Sequence, residues 1–351
     1  MSSIAAQLVP GLSANNLDLP MARRYVLLLV DGLGWDCLFD AQSNAPVLQG
    51  LAAERLQVGL PSTTATSLTS LVTGVPAGEH GIVGFSFRTR DSLVMNTMIW
   101  DDPQSPPEQV QPVPTWFERL RHQVRVCAVV PAIFADSGLT RAYLRGAELL
   151  GVANEKDWTS RVTGVAMAAA EHELTFVYER SLDHVAHIKG WHSSRWLATL
   201  AAIDRFVADL LDSLPANTCL LVTGDHGMVD VPKTHRVFIE DTPVLAADID
   251  MIGGEARLRH LYTHDSASVA ARWAAWLGSR AQVLPRAEAL AWFGEQPPGE
   301  AVIDRIGDVV VAMQGDWAAL TWGRPKEVSL VGMHGSSTAA ECVVPLLKGE
   351  S

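Results

Sequence analysis

Cysteine is scarce in this sequence, and the few cysteines are widely separated. The 351 residues contain four of them, at Cys37, Cys127, Cys219 and Cys342. No two form a Cys-x-x-Cys pair, so the spacing predicts neither a zinc knuckle nor a thiol redox motif.

Long apolar runs are also missing. No run reaches the roughly 18 apolar residues that a membrane-spanning helix needs. The first residues, MSSIAAQLVPGLS, lack the basic start and apolar stretch of a secretory leader. We therefore expect no membrane partner and a cytoplasmic location. Apolar residues still make up 48% of the chain, which is enough for a well-packed core.

The sequence also has fewer basic than acidic residues. The chain has 27 Lys and Arg against 39 Asp and Glu, which gives a formal net charge of -12. Surfaces that bind nucleic-acid polymers are normally basic, so this balance argues against such a partner. A small anionic substrate is compatible with the composition, because bound metal ions reverse the local sign of an acidic pocket.

Strand and helix patterns alternate along the first two thirds of the sequence. Apolar runs typical of buried strands lie at 24–31, 124–130, 174–179 and 218–223. Helical patterns lie at 65–73, 115–122, 159–170 and 194–213. This alternation predicts an α/β fold with a largely parallel central sheet.

The pattern changes after residue 235. Residues 243–300 contain short strand-like pieces and a tryptophan-rich helical segment, SVAARWAAWLGSR. We expect a small α+β insertion or subdomain there. The catalytic core would then consist of 1–242 and 301–351, and its sheet would resume with the apolar run at 307–314.

Acidic and imidazole side chains follow several of the predicted strands. They are Asp31, Asp183, His187, Asp225 and His226, with His334 in the glycine-flanked string GMHGSS near the C-terminus. In open α/β sheets, bound molecules and ions lie outside the carboxyl ends of the strands. We therefore expect these side chains to lie together at that edge of the sheet. Each could instead have a local structural role, such as capping a helix. Their joint placement favours a site.

Carboxylates and imidazoles are ligands for zinc and related divalent ions. Two such ions about 4 Å apart stabilise the attacking and leaving oxygens of an in-line displacement. Six side chains, divided three and three, would leave each ion one open position. The set therefore predicts two divalent ions, with zinc preferred.

A hydroxyl-rich string, LPSTTATSLTSLVTG, covers residues 60–74 and leads into a predicted helix. The N-terminus of a helix suits a phosphoryl group, because its N–H groups are free and carry partial positive charge. A metal-bound hydroxyl there would ionise more readily and act as a nucleophile. The alternative is that these hydroxyls only cap the helix.

Together these motifs resemble the alkaline phosphatase superfamily, and within it the nucleotide pyrophosphatase/phosphodiesterase branch. The matching strings are VLLLVDGLGWD, LPSTTATSLTSLVTGVPAGEHGIVGF, ERSLDHVAH, VTGDHGM and GMHGSS, in the family's order over residues 26–336. The resemblance implies a sheet with helices on both faces. It also implies a nucleophile ten residues before the glycine of a Thr-Gly turn, which is Thr64.

The resemblance further implies how the ligands are shared between two zinc ions. One ion would be held by Asp183, His187 and His334. The other would be held by Asp31, Asp225, His226 and the oxygen of Thr64. The implied activity is hydrolysis of a phosphodiester or nucleotide pyrophosphate through a phosphothreonine intermediate. The expected partner is a small phosphorylated substrate, with nucleotides among the candidates.

The sequence departs from this branch after the nucleophile. Typical members continue with Phe-Pro-Asn, whereas Thr64 is followed by Ala65, Thr66 and Ser67. The missing aromatic weakens the case for a nucleotide base slot, and Thr63 is close enough to be an alternative nucleophile. Monoester hydrolysis, phosphonate hydrolysis and an inactive binding homologue also stay open. A monoesterase would need a basic residue on the phosphate, and the sequence offers only Arg88, Lys189 and Arg195 near the motifs.

Overall fold

The computed structural model describes residues 1–12, 17–90 and 93–351. The strands are β1 (Arg24–Val30), β2 (Ala52–Gln57), β3 (Ser86–Arg90), β4 (Leu93–Asn96), β5 (Val126–Pro131), β6 (Glu148–Val152), β7 (Leu174–Glu179), β8 (Thr218–Thr223), β9 (Val229–Asp230), β10 (Arg236–Phe238), β11 (Met251–Glu255), β12 (Leu258–Tyr262), β13 (Ala281–Pro285), β14 (Val309–Met313), β15 (Ala318–Leu320), β16 (Gly332–Met333) and β17 (Val343–Glu350). The α-helices are α1 (Ser2–Leu8), α2 (Trp35–Asp40), α3 (Pro46–Gly50), α4 (Thr64–Thr73), α5 (Ala77–His80), α6 (Pro107–Val110), α7 (Trp116–Leu120), α8 (Gly138–Tyr143), α9 (Trp158–Glu171), α10 (Ser181–Lys189), α11 (Ser194–Ser213), α12 (Pro243–Ala246), α13 (Ser266–Leu277), α14 (Arg286–Ala289), α15 (Glu300–Ile303), α16 (Pro325–Val328) and α17 (Ala339–Cys342).

Seven strands form a central sheet in the order β2, β17, β8, β1, β7, β5, β6. The strands β8, β1, β7, β5 and β6 run parallel to one another. The last strand, β17, runs antiparallel between β8 and β2. Leu27 of β1 lies opposite Phe176 of β7 and Leu221 of β8. The predicted α/β class with a largely parallel sheet is confirmed.

The central strand β1 separates two apolar cores. Its residues Leu27 and Leu29 pack in one core with side chains of α1, α4 and α7. The intervening residues Val26 and Leu28 pack in the other core with side chains of α9 and α11. A strand covered on both faces has no polar side to present, which explains the continuous apolar run in the sequence. Helices cover both faces of the sheet, as expected.

A second, antiparallel sheet has the order β11, β12, β14, β13. The tryptophan-rich segment forms α13, which packs on this sheet through the fully buried Trp273. The indole Nε1 of Trp273 donates a hydrogen bond to the carbonyl oxygen of Leu245, 3.0 Å away. The expected small α+β unit therefore has its own apolar core.

One expectation about this region is wrong. The run at 307–314 was expected to return to the central sheet, but β14 pairs with β12 and β13 in the small sheet. Every residue of β14 is buried, and a fully buried strand has the same apolar pattern in either sheet. The small sheet therefore extends beyond residue 300. The division into 1–242, 243–300 and 301–351 otherwise stays a prediction.

The longest helix in the described part of the chain is α11, with 20 residues. One of its faces is buried through Trp196, Leu200 and Ile203, while charged residues such as Arg195 lie exposed. Among the described residues, no helix combines the length and the apolar character that crossing a bilayer requires.

Candidate metal centre and active site

The predicted ligands meet because of the strand order. Strand β1 lies between β7 and β8, so the segments that follow these three strands are neighbours at one sheet edge. Asp31 follows β1, Asp225 and His226 follow β8, and Asp183 lies in α10 after β7. The backbone N–H of Asp183 donates to the carbonyl of Asp31 (3.1 Å). Gly32, which directly follows Asp31, has a φ of +75°, and a Cβ added to it would lie 3.1 Å from Asp183.

The C-terminal histidine reaches the same edge through a short antiparallel pairing of two strands that are distant in sequence. Strand β9, just after His226, pairs with β16, and His334 follows β16 directly. The rings of His226 and His334 stack with centroids 3.5 Å apart at 12°. His187 lies one helical turn after Asp183 on α10, and its ring centroid is 5.2 Å from that of His334. All six predicted ligands therefore lie together.

Thr64 is the first residue of α4, so its backbone lies at a helix N-terminus. Its Oγ1 lies 3.2 Å from Nε2 of His226 and 3.5 Å from Oδ1 of Asp31. The neighbouring Thr63 side chain instead contacts the carboxyl of Glu255. The hydroxyl of Thr64 is therefore the one that faces the ligand cluster.

All three histidines are oriented by backbone carbonyls. The Nδ1 atoms of His187, His226 and His334 lie 2.8, 2.9 and 3.0 Å from the carbonyl oxygens of Gly332, Gly227 and Ser62. A carbonyl only accepts hydrogen bonds, so each Nδ1 carries a proton and each Nε2 is the ring nitrogen available to a metal ion. Metal-binding histidines are commonly oriented in this way.

The carboxylates also fit a cation. Oδ1 of Asp183 and Oδ2 of Asp225 are buried and have no hydrogen-bond donor among the described residues. Nε2 of His187 lies 3.3 Å from Asp183 Oδ1, and Nε2 of His226 lies 3.3 Å from Asp31 Oδ1. Lone pairs and carboxylate oxygens repel at such distances unless a proton or a cation lies between them. The donor set therefore suits divalent metal ions.

Two groups of possible ligands have donor atoms that lie within 4.8 Å of one another. One group is Asp31, Asp225 and His226, which agrees with the expected acid and imidazole ligands of one ion. The other is Asp183, His226 and His334, so His226 takes the place expected for His187. His226 thus lies between the two groups.

Two acids of the cluster, Asp31 and Asp225, have raised pKa values when no cation is present. Burial and the negative charge of Asp31 raise the pKa of Asp225 to about 7. Burial and the charge of Asp183 raise the pKa of Asp31. Burial disfavours charge on His226 as well, but Asp225 and Asp31 outweigh it and raise the pKa of His226 well above its usual value. The cluster therefore needs compensating positive charge.

A cavity of about 220 Å³ opens beside these residues. Its lining includes Asp31, Thr63, Thr64, Phe85, Met98, Asp183, His187, Glu255, Ala256, Glu327, Leu330, Met333 and His334. Among the described residues that line the cavity there is no lysine or arginine, so Arg88, Lys189 and Arg195 do not line it. Apart from the ligand cluster and the two threonines, the lining consists of apolar side chains and the carboxylates of Glu255 and Glu327.

Several residues in and around this pocket were not predicted. Phe85 and Met98 lie beside the hairpin of β3 and β4, and Glu255 ends β11 of the small sheet. Tyr178, near the end of β7, donates a short hydrogen bond to Asp31 Oδ2. Only Tyr178 carried a signal, because it lies beside a strand end that delivers ligands. The others come from segments distant in sequence from any ligand.

The chain belongs to the type I phosphodiesterase/nucleotide pyrophosphatase family, whose model matches residues 25–337. That range contains every predicted ligand, and the predicted family resemblance is confirmed. Mouse ectonucleotide pyrophosphatase/phosphodiesterase family member 7 is 25% identical over 246 residues. The match covers 63% of this chain and 54% of the mouse protein, so it spans about half of that relative.

Solved structures support the fold. Human ectonucleotide pyrophosphatase/phosphodiesterase 5 superposes with a TM-score of 0.74 at 16% identity, covering 93% of this chain and 87% of its own. An inactive variant of the murine protein, in complex with AMP, gives 0.73 at 17%, covering 92% and 87%. Phosphonoacetate hydrolase from Sinorhizobium meliloti, in complex with phosphonoformate, gives 0.72 at 19%, covering 95% and 92%.

Proposed function

We propose that this chain is a metal-dependent hydrolase of phosphodiesters or nucleotide pyrophosphates, with Thr64 as its nucleophile. The observation that carries the proposal is the position of Thr64 Oγ1 at a helix N-terminus, 3.2 Å from His226 Nε2 within the ligand cluster. Family membership supports the reaction class. The murine structural neighbour is inactive with a threonine replaced by alanine, which supports a threonine nucleophile.

Two divalent ions, with zinc preferred, are the proposed cofactors. When bound they would lower the pKa of the Thr64 hydroxyl and stabilise charge on the attacking and leaving oxygens. One ion would be held by Asp31, Asp225 and His226 near Thr64. The other would be held by Asp183 and His334, with His187 or His226 completing the set.

The remaining steps belong to the chain itself. Thr64 Oγ1 attacks phosphorus in line, forming a P–O bond while the bond to the leaving oxygen breaks. Free N–H groups in the first turn of α4, including those of Ala65 and Thr66, face a nonbridging oxygen. Water then cleaves the phosphoryl–Thr64 bond and restores the hydroxyl.

The cavity favours a diester over a monoester. A monoester carries one more negative charge, and in the described part of the chain no lysine or arginine lines the cavity to neutralise it. The likeness to phosphonoacetate hydrolase keeps phosphonates as a second candidate class. A purely binding homologue is disfavoured, because all six ligands are kept together with a hydroxyl aimed at them.

Model substrates test this proposal directly. We expect bis(4-nitrophenyl) phosphate to be cleaved with a kcat/KM at least about tenfold above that for 4-nitrophenyl phosphate, a difference of about 1.4 kcal/mol in barrier. EDTA should abolish the activity and zinc should restore it. Phosphonoacetate, assayed in parallel, tests the second class. The proposal would be overturned if the zinc-loaded protein cleaved none of the three compounds.

The stabilisation by zinc should grow between about pH 4 and 7. The pKa of Asp225 is about 7 in the fold against a usual 3.8, so the metal-free fold keeps a proton that the unfolded chain releases. Its stability therefore falls as the pH rises from about 4 through 7, and a bound cation removes that loss. Thermal unfolding with and without zinc at each pH measures the difference in Tm. A difference that shrinks toward pH 7 would contradict this expectation.

A further inference from the structure

A fully buried ion pair lies behind the metal centre. Arg257, in the turn between β11 and β12, contacts Glu341 on α17, and both side chains are 0% exposed. Nε of Arg257 donates to Oε1 of Glu341 (3.0 Å), and Nη2 donates to Oε2. The arginine also donates to the carbonyl of Trp317. The pair thus connects the small sheet to the segment that precedes β17 of the central sheet.

Glu341 also holds the loop that carries His334. Its Oε1 accepts a hydrogen bond from the backbone N–H of Ser336 (2.9 Å), two residues after that histidine. Its Oε2 accepts from the hydroxyl of Thr338 (2.5 Å). One carboxylate therefore receives Arg257 and two groups of the His334 loop.

The same residue holds the loop that carries His226. The backbone N–H of Gly227, directly after that histidine, donates to the carbonyl oxygen of Glu341 (2.8 Å). The contact is close, because a Cβ at Gly227 would lie 1.9 Å from the carbonyl oxygen of Ala340. The loop of His334 is therefore held by the carboxylate of Glu341, and the loop of His226 by its main-chain carbonyl.

Stability alone is a weak reason for such a pair. Removing two charges from water is costly, and apolar replacement of a buried ion pair is often neutral or stabilising. What an apolar pair could not supply is the directional acceptor for Ser336. The pair instead fixes the relative position of two loops, one that carries His226 and one that carries His334, which follow different strands.

We propose that the Arg257–Glu341 pair is a positioning element that holds His226 and His334 at the separation metal binding requires. The small sheet thereby supports the centre through Arg257 without contributing a ligand. This inference rests on the proposed function, since it presupposes that the cluster binds metal. The two residues act through the loops, and neither is among the described residues that line the cavity.

The double variant Arg257→Met with Glu341→Met tests this role. We expect zinc affinity, measured by competition with a chromophoric chelator, to weaken about 10- to 100-fold. The denaturant midpoint of the metal-free protein should fall only modestly, because the charges are removed together and the main loss is the acceptor of the buried Ser336 N–H. At saturating zinc, KM should stay close to that of the parent protein. Arg257→Lys, which keeps the charge but loses the paired geometry, should fold and give an intermediate affinity.

A second ion pair of the small sheet provides the control. Arg286 pairs with Asp308, which also accepts a hydrogen bond from the backbone N–H of Thr263 (3.0 Å), and neither residue is among the described residues that line the cavity. Arg286→Met with Asp308→Leu should leave zinc affinity within about twofold. Unchanged affinity in the Arg257 variants, or equal losses in both double variants, would overturn the inference. A parent protein that binds no zinc would instead overturn the proposed function.

Discussion

Replacing Thr64 with alanine is expected to lower kcat for diester hydrolysis by about a thousandfold or more, while zinc stays bound. The variant loses the oxygen that forms the new bond to phosphorus, and loss of a nucleophile typically costs orders of magnitude in turnover. The acid and imidazole ligands remain, and they hold the centre without the hydroxyl. Steady-state kinetics with bis(4-nitrophenyl) phosphate and elemental analysis of the purified variant measure the two effects.

Two matched variants sharpen this test. Thr64→Ser keeps a hydroxyl at the same position, so it should recover a large part of the lost activity. Thr63→Ala removes the neighbouring hydroxyl, which contacts Glu255, and its loss should be much smaller. If Thr63→Ala were the inactive variant and Thr64→Ala the active one, the nucleophile would be Thr63. Full activity in both alanine variants would exclude a threonine nucleophile.

The ligand positions could be predicted because they depend on local features. A strand buried on both faces shows in the sequence as an apolar run, and Asp31 and Asp225 follow such runs almost directly. Since the carboxyl ends of parallel strands meet at one edge, placement after the strands was enough to bring these residues together. His334 follows no such run in the sequence. Its position depends on the two-residue pairing of β9 with β16, so its glycine-flanked string and the family resemblance indicate its role, and no strand end does.

The pocket walls could not be predicted for the opposite reason. Glu255 and Met98 reach the cavity through the packing of the small sheet and of a hairpin against the core, and no periodicity records such long-range packing. The assignment of β14 failed in a related way. Val309–Met313 is buried throughout, and burial does not reveal which of two sheets provides it. An apolar composition indicates that a strand is buried. Which strand it pairs with depends on tertiary contacts.

The arrangement of the ligands predicts that the six side chains contribute unequally to metal binding. His226 belongs to both groups of donor atoms, is fully buried, and lies against Thr64 and Asp31. His187 lies at the periphery on α10, with a side chain 24% exposed. Loss of the central imidazole should therefore disturb the whole centre, whereas loss of the peripheral one should disturb one side.

We accordingly expect His226→Ala to lose most bound zinc and to lower kcat/KM by about a thousandfold or more. Metal ions supply several kcal/mol of transition-state stabilisation, and each 1.4 kcal/mol corresponds to about a factor of ten. Both groups of ligands would then lack a donor atom, so excess zinc should restore little activity. Metal content after dialysis and kinetics across a zinc titration measure both effects.

His187→Ala is the matched comparison, because it removes the same ring from the edge of the cluster. Its zinc content should fall by about half, and excess zinc should restore much of its activity, since Asp183 and His334 still offer donor atoms. Metal affinity often depends on the number of ligands retained, so the two variants would be equivalent if each histidine served one ion. Equal losses with equal recovery in the two variants would therefore show that His226 is not shared, and would favour the partition in which His187 completes the second site.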